Sequence, residues 1–238
     1  MLLYYLRHGD PIYNPNSLTP LGKRQAEALG RRLAQHGLNR IYVSSSERAK
    51  ETARPVCELL HMEYTVLDWT NEDHVWEEFA VENEDGSLDF PAGVEKCEHL
   101  MATHEMQKLG RDWGQHPAFK GTKLETAPFR VARLADEFLA SLGYEHDWER
   151  GGYNCMRVNR ERVALFAHYG FGMAFLSSVM DIPYPVFCTR FDIGHSGMTV
   201  IYFPEKEGFV IPRVLQFSND SHLYREGLPT FHNNEILI

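Results

Sequence analysis

Three short polar segments of this chain carry side chains suited to holding and transferring a phosphoryl group. The segments are Arg7-His8-Gly9, the run from Ser44 to Arg48, and His168-Tyr169-Gly170. Arginine offers a planar fork of N–H donors that matches phosphate oxygens. Histidine can attack phosphorus as a nucleophile, and glycine lets the backbone come close to a ligand. These residue types therefore indicate phosphoryl chemistry, provided that the fold brings the three segments together.

Each of the three polar segments follows an apolar run that predicts a β-strand. These predicted strands span residues 2–7, 40–44 and 162–167, and a shorter one is predicted at 64–67. Helices are predicted at about 46–60 and 169–180, directly after two of the polar segments. Another is predicted at 124–142, and the first opens at Thr19-Pro20, with Thr19 as N-cap and proline at the first helical position.

Strands that alternate with helices indicate an α/β protein. The fold class that we expect is a three-layer sandwich, with a mostly parallel central sheet and helices on both faces. Residues 198–203 and 209–217 predict a late hairpin and therefore an antiparallel edge. Ligands bind beyond the carboxyl ends of such strands, and helix N-terminal amides favour anions. We therefore expect two arginines, two histidines and free amides to converge on one pocket.

The motifs resemble those of the histidine phosphatase superfamily, also called phosphoglycerate mutase-like. The similar stretches are Arg7-His8-Gly9, the first helix around Leu18 to Ala26, the run from Ser44 to Ala53, and Ala167 to Gly170. They occur in the family's order. The resemblance covers residues 2 to about 78 and about 160 to 223, and it leaves the middle of the chain uncovered.

The resemblance implies a role for each residue of these motifs. His8 would be the nucleophile that becomes phosphohistidine, while Arg7, Arg48 and His168 would bind the phosphoryl oxygens and stabilise the transition state. Tyr169, which replaces the family's usual second glycine, is grouped with the phosphate-binding residues. The arginines supply the positive charge that Mg²⁺ supplies in other phosphoryl-transfer enzymes, so no metal and no cofactor are expected.

The general acid that protonates the leaving oxygen is expected shortly after the third strand, as in the family. Glu72 occupies the matching place. The family's glycine and Trp-Glu-Gly run after it is altered here to the stretch from Asp73 to Glu78. A shifted alignment selects Asp73, Glu77 or Glu78 instead.

The sequence departs from the family elsewhere too. Asp10 stands where many relatives carry Glu or Gln, and the loop 11–17 lacks the mutase-type pattern. Asn14 and Ser17 of this loop are candidate substrate contacts, and turn chemistry explains them equally well. His222, in a late segment that also resembles the family, is interpreted as structural.

The middle of the chain, about residues 69–123, is interpreted as an insertion in a single domain that spans residues 1–238. It is too short to build much core of its own. Between Glu77 and Glu105 it carries nine acidic residues against one lysine, Lys96. This segment is either a solvated surface or a rim of the pocket. As a rim, it would repel substrates with several phosphates, or its tryptophans would offer an apolar wall.

The amino-acid composition limits the classes of ligand and the cellular location that we expect for this protein. The 238 residues have a net charge of -9, which argues against nucleic-acid binding, and no apolar stretch approaches the roughly 20 residues that cross a membrane. The four widely spaced cysteines suit free thiols in a reducing cytoplasm, where we expect the protein. His99 and His104 lie five residues apart, which does not match a zinc motif. The sequence does not indicate an oligomeric state.

The function that we expect is hydrolysis of a small phosphomonoester through a phosphohistidine intermediate on His8, with inorganic phosphate as product. One alternative is phosphoryl transfer of the phosphoglycerate mutase type, against which the loop after Gly9 and the different insertion argue. The other is a protein on the same fold that binds a phosphorylated ligand without catalysis.

Overall fold

The computed structural model describes residues 1–230. The β-strands in this part of the chain are β1 (Leu2–Arg7), β2 (Pro11–Ile12), β3 (Ser17–Leu18), β4 (Arg40–Ser44), β5 (Thr65–Leu67), β6 (Val81–Glu82), β7 (Leu88–Asp89), β8 (Tyr144–Asp147), β9 (Gly152–Cys155), β10 (Arg162–Ala167), β11 (Met198–Tyr202), β12 (Gly208–Val210) and β13 (Arg213–Asn219).

The α-helices in residues 1–230 are α1 (Pro20–Ala34), α2 (Glu47–Leu60), α3 (Glu72–Phe79), α4 (Glu95–Met101), α5 (His104–Lys108), α6 (Ala127–Ser141), α7 (Tyr169–Val179), α8 (Tyr184–Cys188) and α9 (Ser221–Arg225). Short 3-10 helices lie between several of them, mostly within residues 68–125. The predicted N-cap of the first helix is confirmed, because the Thr19 hydroxyl accepts a hydrogen bond from the Gly22 amide at 3.0 Å.

The central sheet has six strands in the order β13-β11-β1-β10-β4-β5. Strands β1, β10, β4 and β5 run parallel to one another, while β11 pairs antiparallel with β1, and β13 antiparallel with β11. The predicted α/β class, mostly parallel sheet and antiparallel edge are therefore confirmed. Because β10 lies between β1 and β4, the ends of the three strands that precede the polar segments are neighbours.

Both faces of the central sheet are covered, as successive side chains of β1 show. Leu3 and Tyr5 belong to the larger core cluster, which includes apolar side chains of α6 and α7. Leu6 points to the opposite face, where it joins apolar side chains of α1 and α2. A strand that is buried on both faces reads as a continuous apolar run, and this explains the sequence of β1.

The predicted hairpin between residues 198–203 and 209–217 is confirmed in part, because β11 pairs antiparallel with β13, but the second segment is not a single strand. The second segment is two strands, β12 and β13, separated by Ile211 and Pro212. Strand β13 pairs with β11, whereas β12 pairs with β9 in a separate sheet of the order β12-β9-β8. Proline has no N–H to give to a strand ladder, so Pro212 ends one pairing before the next begins.

The segment 69–123 contains α3, α4 and α5, and its apolar side chains join the core of the central sheet. Phe79, Met101, Met106 and Trp113 are at most 1% exposed and belong to the same cluster as β1 and α7. A segment that shares this core is held against the rest of the molecule by burial of apolar area. All four cysteines of the chain are free in the structure, as expected.

Candidate active site

The three polar segments meet at the carboxyl ends of β1, β4 and β10, as predicted. His8 and His168 are neighbours, with ring centroids 5.2 Å apart. Arg7, His8 and Arg48 line a cavity of about 1120 Å³. The close approach that Gly9 permits is to α1, because a Cβ there would lie 2.7 Å from the Gly22 carbonyl oxygen.

His8 is held as a neutral imidazole with one defined tautomer. Its Nδ1 lies 2.7 Å from the Gly9 carbonyl oxygen, which can only accept, so Nδ1 carries the proton. The side chain is buried, and burial, together with the charges of His168, Arg7 and Arg48, keeps the pKa of His8 well below its usual value. Nε2 therefore retains the free lone pair that a nucleophile needs.

Arg7 is fixed by two hydrogen bonds from its guanidinium group. Nη1 donates to the Ile193 carbonyl oxygen at 2.5 Å, and Nη2 lies 2.8 Å from Nε2 of His195. The guanidinium carbon stands 5.2 Å from the centre of the Tyr169 ring, so Tyr169 contacts the arginine side chain. Nε of Arg7 is buried and has no hydrogen-bond partner. This orientation leaves a buried donor available to an anion.

Arg48 is a second buried cation at the same place. It is 5% exposed, and within residues 1–230 no carboxylate lies at ion-pair distance from its guanidinium. Its Nε has no hydrogen-bond partner, and the guanidinium lies over the Tyr13 ring at 5.4 Å. Buried charge is unfavourable unless it is paired. Two buried arginines that line one cavity indicate a site for an anion.

His168 is the fourth of the side chains that the sequence predicts at this site, although it is not among the residues that line the cavity. It is fully buried, and its Nε2 lies 2.8 Å from the Ser44 hydroxyl, while Nδ1 has no partner. Burial, with the charges of Arg48 and Arg7, lowers its pKa well below the usual value. The Tyr5 hydroxyl donates to the His168 carbonyl oxygen at 2.5 Å, which anchors the end of β10 to β1.

Glu72 lines the cavity from the first turn of α3. Its carboxylate occupies helix amides that the sequence predicts to be free. Its two carboxylate oxygens accept hydrogen bonds from the amides of Gly170 and Phe171, at 2.7 and 2.8 Å. The first amides of α7 are therefore occupied, and the prediction that they are free is wrong. The reason is that a carboxylate satisfies helix-terminal donors as well as a ligand does. Burial raises the pKa of Glu72, which favours its protonated form.

The alternative acids lie at different distances from the site. Asp73 is exposed and lines the same cavity. Glu78 forms an ion pair with Arg130, and Glu77 is exposed and does not line the cavity. Asn71 caps α3 by accepting from the Asp73 amide at 3.1 Å, which places Glu72 at the first helical position. The geometry therefore favours Glu72, and its role as acid stays a prediction.

The loop after β1 reaches the cavity through residues that the sequence did not single out. Tyr13 and Asn16 line it, and Oδ1 of Asn16 accepts from the Arg48 amide at 3.1 Å. Asn14 and Ser17, the two candidate contacts, are not among the lining residues. The Ser17 hydroxyl instead donates to the Pro15 carbonyl at 3.0 Å, which is turn chemistry.

His195 is a site residue that sequence reasoning missed. Nδ1 of His195 faces Oδ1 of Asp10 at 3.6 Å, while Nε2 meets Arg7. Burial and the charge of Arg7 lower the pKa of His195 to about 3, so it is neutral and accepts from Arg7. The sequence signal that could have pointed to His195 is Asp10, an unusual residue at its position. The other carboxylate oxygen of Asp10 accepts a hydrogen bond from the Thr19 hydroxyl at 2.6 Å.

His222 lies away from the cavity. It forms hydrogen bonds with Ser196 and Arg32, in keeping with a structural role.

The acidic insertion forms a wall of this cavity, as one of the two sequence interpretations holds. Trp76, Asp89, Phe90 and Glu98 are among the lining residues. Phe90 packs directly on the start of α7, where a Cβ on Gly170 would lie 2.1 Å from its ring. No group of three or more His, Cys, Asp or Glu residues with metal-binding geometry occurs in the described part of the chain.

Comparisons with known proteins confirm the resemblance to the histidine phosphatase superfamily. Residues 3–83 match the model of the histidine phosphatase superfamily (branch 1). This match includes the segments of Arg7, His8, Arg48 and Glu72 and ends before most of the insertion. No curated protein matches the chain in sequence. Within residues 1–230, no helix is both long and apolar enough to cross a membrane.

Solved structures share the fold at low sequence identity. A mutant phosphoserine phosphatase from Entamoeba histolytica in complex with phosphoserine is 16% identical, with a TM-score of 0.58 over 93% of this chain and 98% of that chain. A mycobacterial glucosyl-3-phosphoglycerate phosphatase is 20% identical, with a TM-score of 0.57 over 91% and 98%. The alpha-ribazole phosphatase from Shigella flexneri is 19% identical, with a TM-score of 0.56 over 92% and 97%.

Proposed function

We propose that this protein is a histidine phosphatase that hydrolyses a small phosphomonoester through a phosphohistidine on His8. The observation that carries the proposal is the pairing of two buried arginines, Arg7 and Arg48, with a neutral His8 whose Nδ1 is committed to the Gly9 carbonyl. The family model over residues 3–83 and the phosphatases among the similar structures support it.

The first chemical step is transfer of the phosphoryl group to the enzyme. Nε2 of His8 forms a bond to phosphorus while the bond from phosphorus to the alcohol oxygen breaks. Arg7, Arg48 and His168 hold the phosphoryl oxygens, whose charge grows in the transition state. Glu72, in the protonated form that burial favours by raising its pKa, gives its proton to the leaving oxygen. The alcohol then departs, and Glu72 is left as a carboxylate.

The second step releases inorganic phosphate. A water molecule attacks phosphorus, the bond to Nε2 of His8 breaks, and the Glu72 carboxylate takes the proton that the water loses. His8 and Glu72 return to their starting protonation states. The arginines provide the positive charge that the reaction needs, so the proposed mechanism uses neither a metal nor a cofactor.

The test is detection of the covalent intermediate. Wild-type protein quenched during turnover of a ³²P-labelled phosphomonoester should carry acid-labile, base-stable label, and His8→Ala should carry none. His195→Gln is the matched control, because it keeps an acceptor for Arg7 and leaves His8 in place. A wild-type protein that neither labels nor hydrolyses 4-nitrophenyl phosphate would overturn the proposal in favour of a non-catalytic binding protein.

A further inference from the structure

The cavity extends from the arginines to a second region, here called the outer end. The outer end is lined by the insertion and by residues 188–191. The opposite region, called the inner end, contains Arg7, His8 and Arg48. Because the phosphoryl group occupies the inner end in the proposed mechanism, the alcohol part of the substrate must lie in the outer end. The chemistry of the outer end therefore selects the alcohol.

The outer end carries negative charge. Asp73, Asp89 and Glu98 of the insertion line it. Arg190 is the cation among the lining residues at this end, and its Nη1 donates to the Thr189 hydroxyl at 3.0 Å and to the Thr189 carbonyl at 3.3 Å. The cavity is thus positive at one end and negative at the other. Such a field favours a ligand with an anionic phosphate and a cationic alcohol.

Aromatic rings line the same cavity as these carboxylates. Trp76 is 37% exposed and Phe191 is 38% exposed, although both are large apolar side chains. The Trp76 ring meets Phe90 edge to face, with centroids 5.1 Å apart, and Phe90 is itself fixed against Gly170. The indole is therefore positioned by packing. Exposed indole and phenyl faces next to carboxylates form a surface that attracts alkylated ammonium groups.

From this arrangement we infer that the substrate is the phosphomonoester of an alcohol that carries an alkylated ammonium group. The inference rests on the proposed function and names its substrate class. The methyl groups of such a cation contact Trp76 and Phe191, while its charge is balanced by Asp89 and Glu98. A bare ammonium retains water more strongly and gains less from the rings. An anionic alcohol, such as one with a second phosphate, is repelled.

The experiment compares two phosphomonoesters of nearly the same shape. Phosphocholine carries a trimethylammonium group, and 3,3-dimethylbutyl phosphate replaces its nitrogen by carbon and is neutral at that end. We expect kcat/KM for phosphocholine to be about tenfold higher, within the range of a cation–aromatic contact reinforced by carboxylates. Glycerol 3-phosphate and a sugar bisphosphate should be poorer still. The preference for phosphocholine should weaken as salt is raised, because salt screens the partly exposed carboxylates.

Single substitutions test whether residues of the outer end cause the preference for phosphocholine. Glu98→Gln and Trp76→Leu should each lower the ratio of kcat/KM between phosphocholine and its neutral isostere by severalfold. The matched control is Glu82→Gln, since Glu82 belongs to the same insertion, is exposed, and does not line the cavity. The ratio in this control should equal that of the wild type.

The results separate failure of the inference from failure of the proposed function. Hydrolysis of 4-nitrophenyl phosphate that depends on His8, with equal rates for the two isosteric esters or a preference for the neutral one, overturns the inference alone. A preference for phosphocholine that survives Glu98→Gln and Trp76→Leu also overturns it. Absence of hydrolysis of every ester, the aryl ester included, overturns the proposed function and with it the inference.

Discussion

The inner and outer ends of the cavity are built in different ways. At the inner end, Arg7, His8, Arg48 and His168 are at most 5% exposed, and they follow neighbouring strands of the central sheet. The outer end is formed by short helices and connecting segments, with exposed rings such as Trp76. In the proposed function, phosphate binding depends on the sheet, while selection of the alcohol depends on an insertion. Such a division lets the alcohol specificity change without loss of the phosphoryl chemistry.

The strongest test of this division is Arg48→Met. The substitution removes a buried cation that has no carboxylate at ion-pair distance in residues 1–230. We expect kcat/KM to fall by about 10²–10³ for every substrate, because a donor to the transition state is lost. We also expect the melting temperature to stay the same or rise, since methionine relieves a buried, unpaired charge. Steady-state kinetics and thermal unfolding of the same samples provide both measurements.

A different set of kinetic results would contradict the division of the cavity into a phosphate end and an alcohol end. Trp76→Leu, an outer-end variant, serves as the control in the same kinetics. If Arg48→Met affected phosphocholine and left 4-nitrophenyl phosphate unchanged, Arg48 would belong to the alcohol site, and the division between the ends would be wrong.

Glu72 lies at the boundary between the two ends, and Glu72→Gln tests its role as acid. General acid catalysis contributes about 10²–10⁴ in rate when the leaving group is a poor one. We therefore expect a loss of about 10² for an alkyl phosphate and a much smaller loss for 4-nitrophenyl phosphate, whose leaving group needs no proton. Equal losses for the two esters would indicate that Glu72 acts through its hydrogen bonds to Gly170 and Phe171 instead. Asp73→Asn is the matched control, because Asp73 is the neighbouring carboxylate in the cavity.

His195 is expected to act on catalysis through Arg7, as a positioning residue. His195→Phe keeps the ring and removes the acceptor for Nη2 of Arg7, whereas His195→Gln keeps an acceptor. A hydrogen bond to a charged group is worth about 1.5 kcal/mol or more, so the phenylalanine variant should bind inorganic phosphate roughly tenfold more weakly. The inhibition constant of phosphate measures this. If the phenylalanine and glutamine variants bound phosphate equally well, Arg7 would not need His195.

The sequence predicted the inner end better than the outer one for a physical reason. Arg7, His8 and Arg48 lie in short motifs at strand ends, and strand pairing brings such ends together whatever the loops do. His195 could not be found in this way, because 188 residues separate it from Arg7 and it lies in a loop before β11. The pairing of β12 depended on β9, a strand that the sequence pattern did not reveal.

The contact between Glu72 and helix α7 also could not be predicted from the local sequence pattern. The sequence placed it after the third strand, but not against the amides of α7, which lie 98 and 99 residues further along the chain. The rim formed by the acidic insertion was one of two open interpretations. It was decided by tertiary packing, through contacts such as that of Phe90 with Gly170. The local sequence pattern therefore predicts which side chains follow each strand, and tertiary packing determines which residues those side chains face.

The inner end should also be the part of the molecule that acid destabilises most directly. Burial lowers the pKa of His8 and His168 well below the usual value, and that of His195 to about 3. In the unfolded chain a histidine takes up its proton near pH 6.5. Below that pH the unfolded state therefore binds more protons than the folded state, so the free energy of unfolding falls as pH falls. The decline continues until the pH reaches the pKa of the folded form.

Each such histidine adds a slope of at most about 1.4 kcal/mol per pH unit to this decline. Urea unfolding between pH 7 and pH 5 measures it, and His195→Gln should reduce the slope because one titrating group is removed. His222→Gln is the comparison outside the cavity, since burial lowers the pKa of His222 to about 4. The two variants should reduce the slope similarly. A wild-type stability that stays constant from pH 7 to pH 5 would mean that these histidines titrate in the folded protein as they do in the unfolded chain, and burial would then not be what keeps His8 neutral.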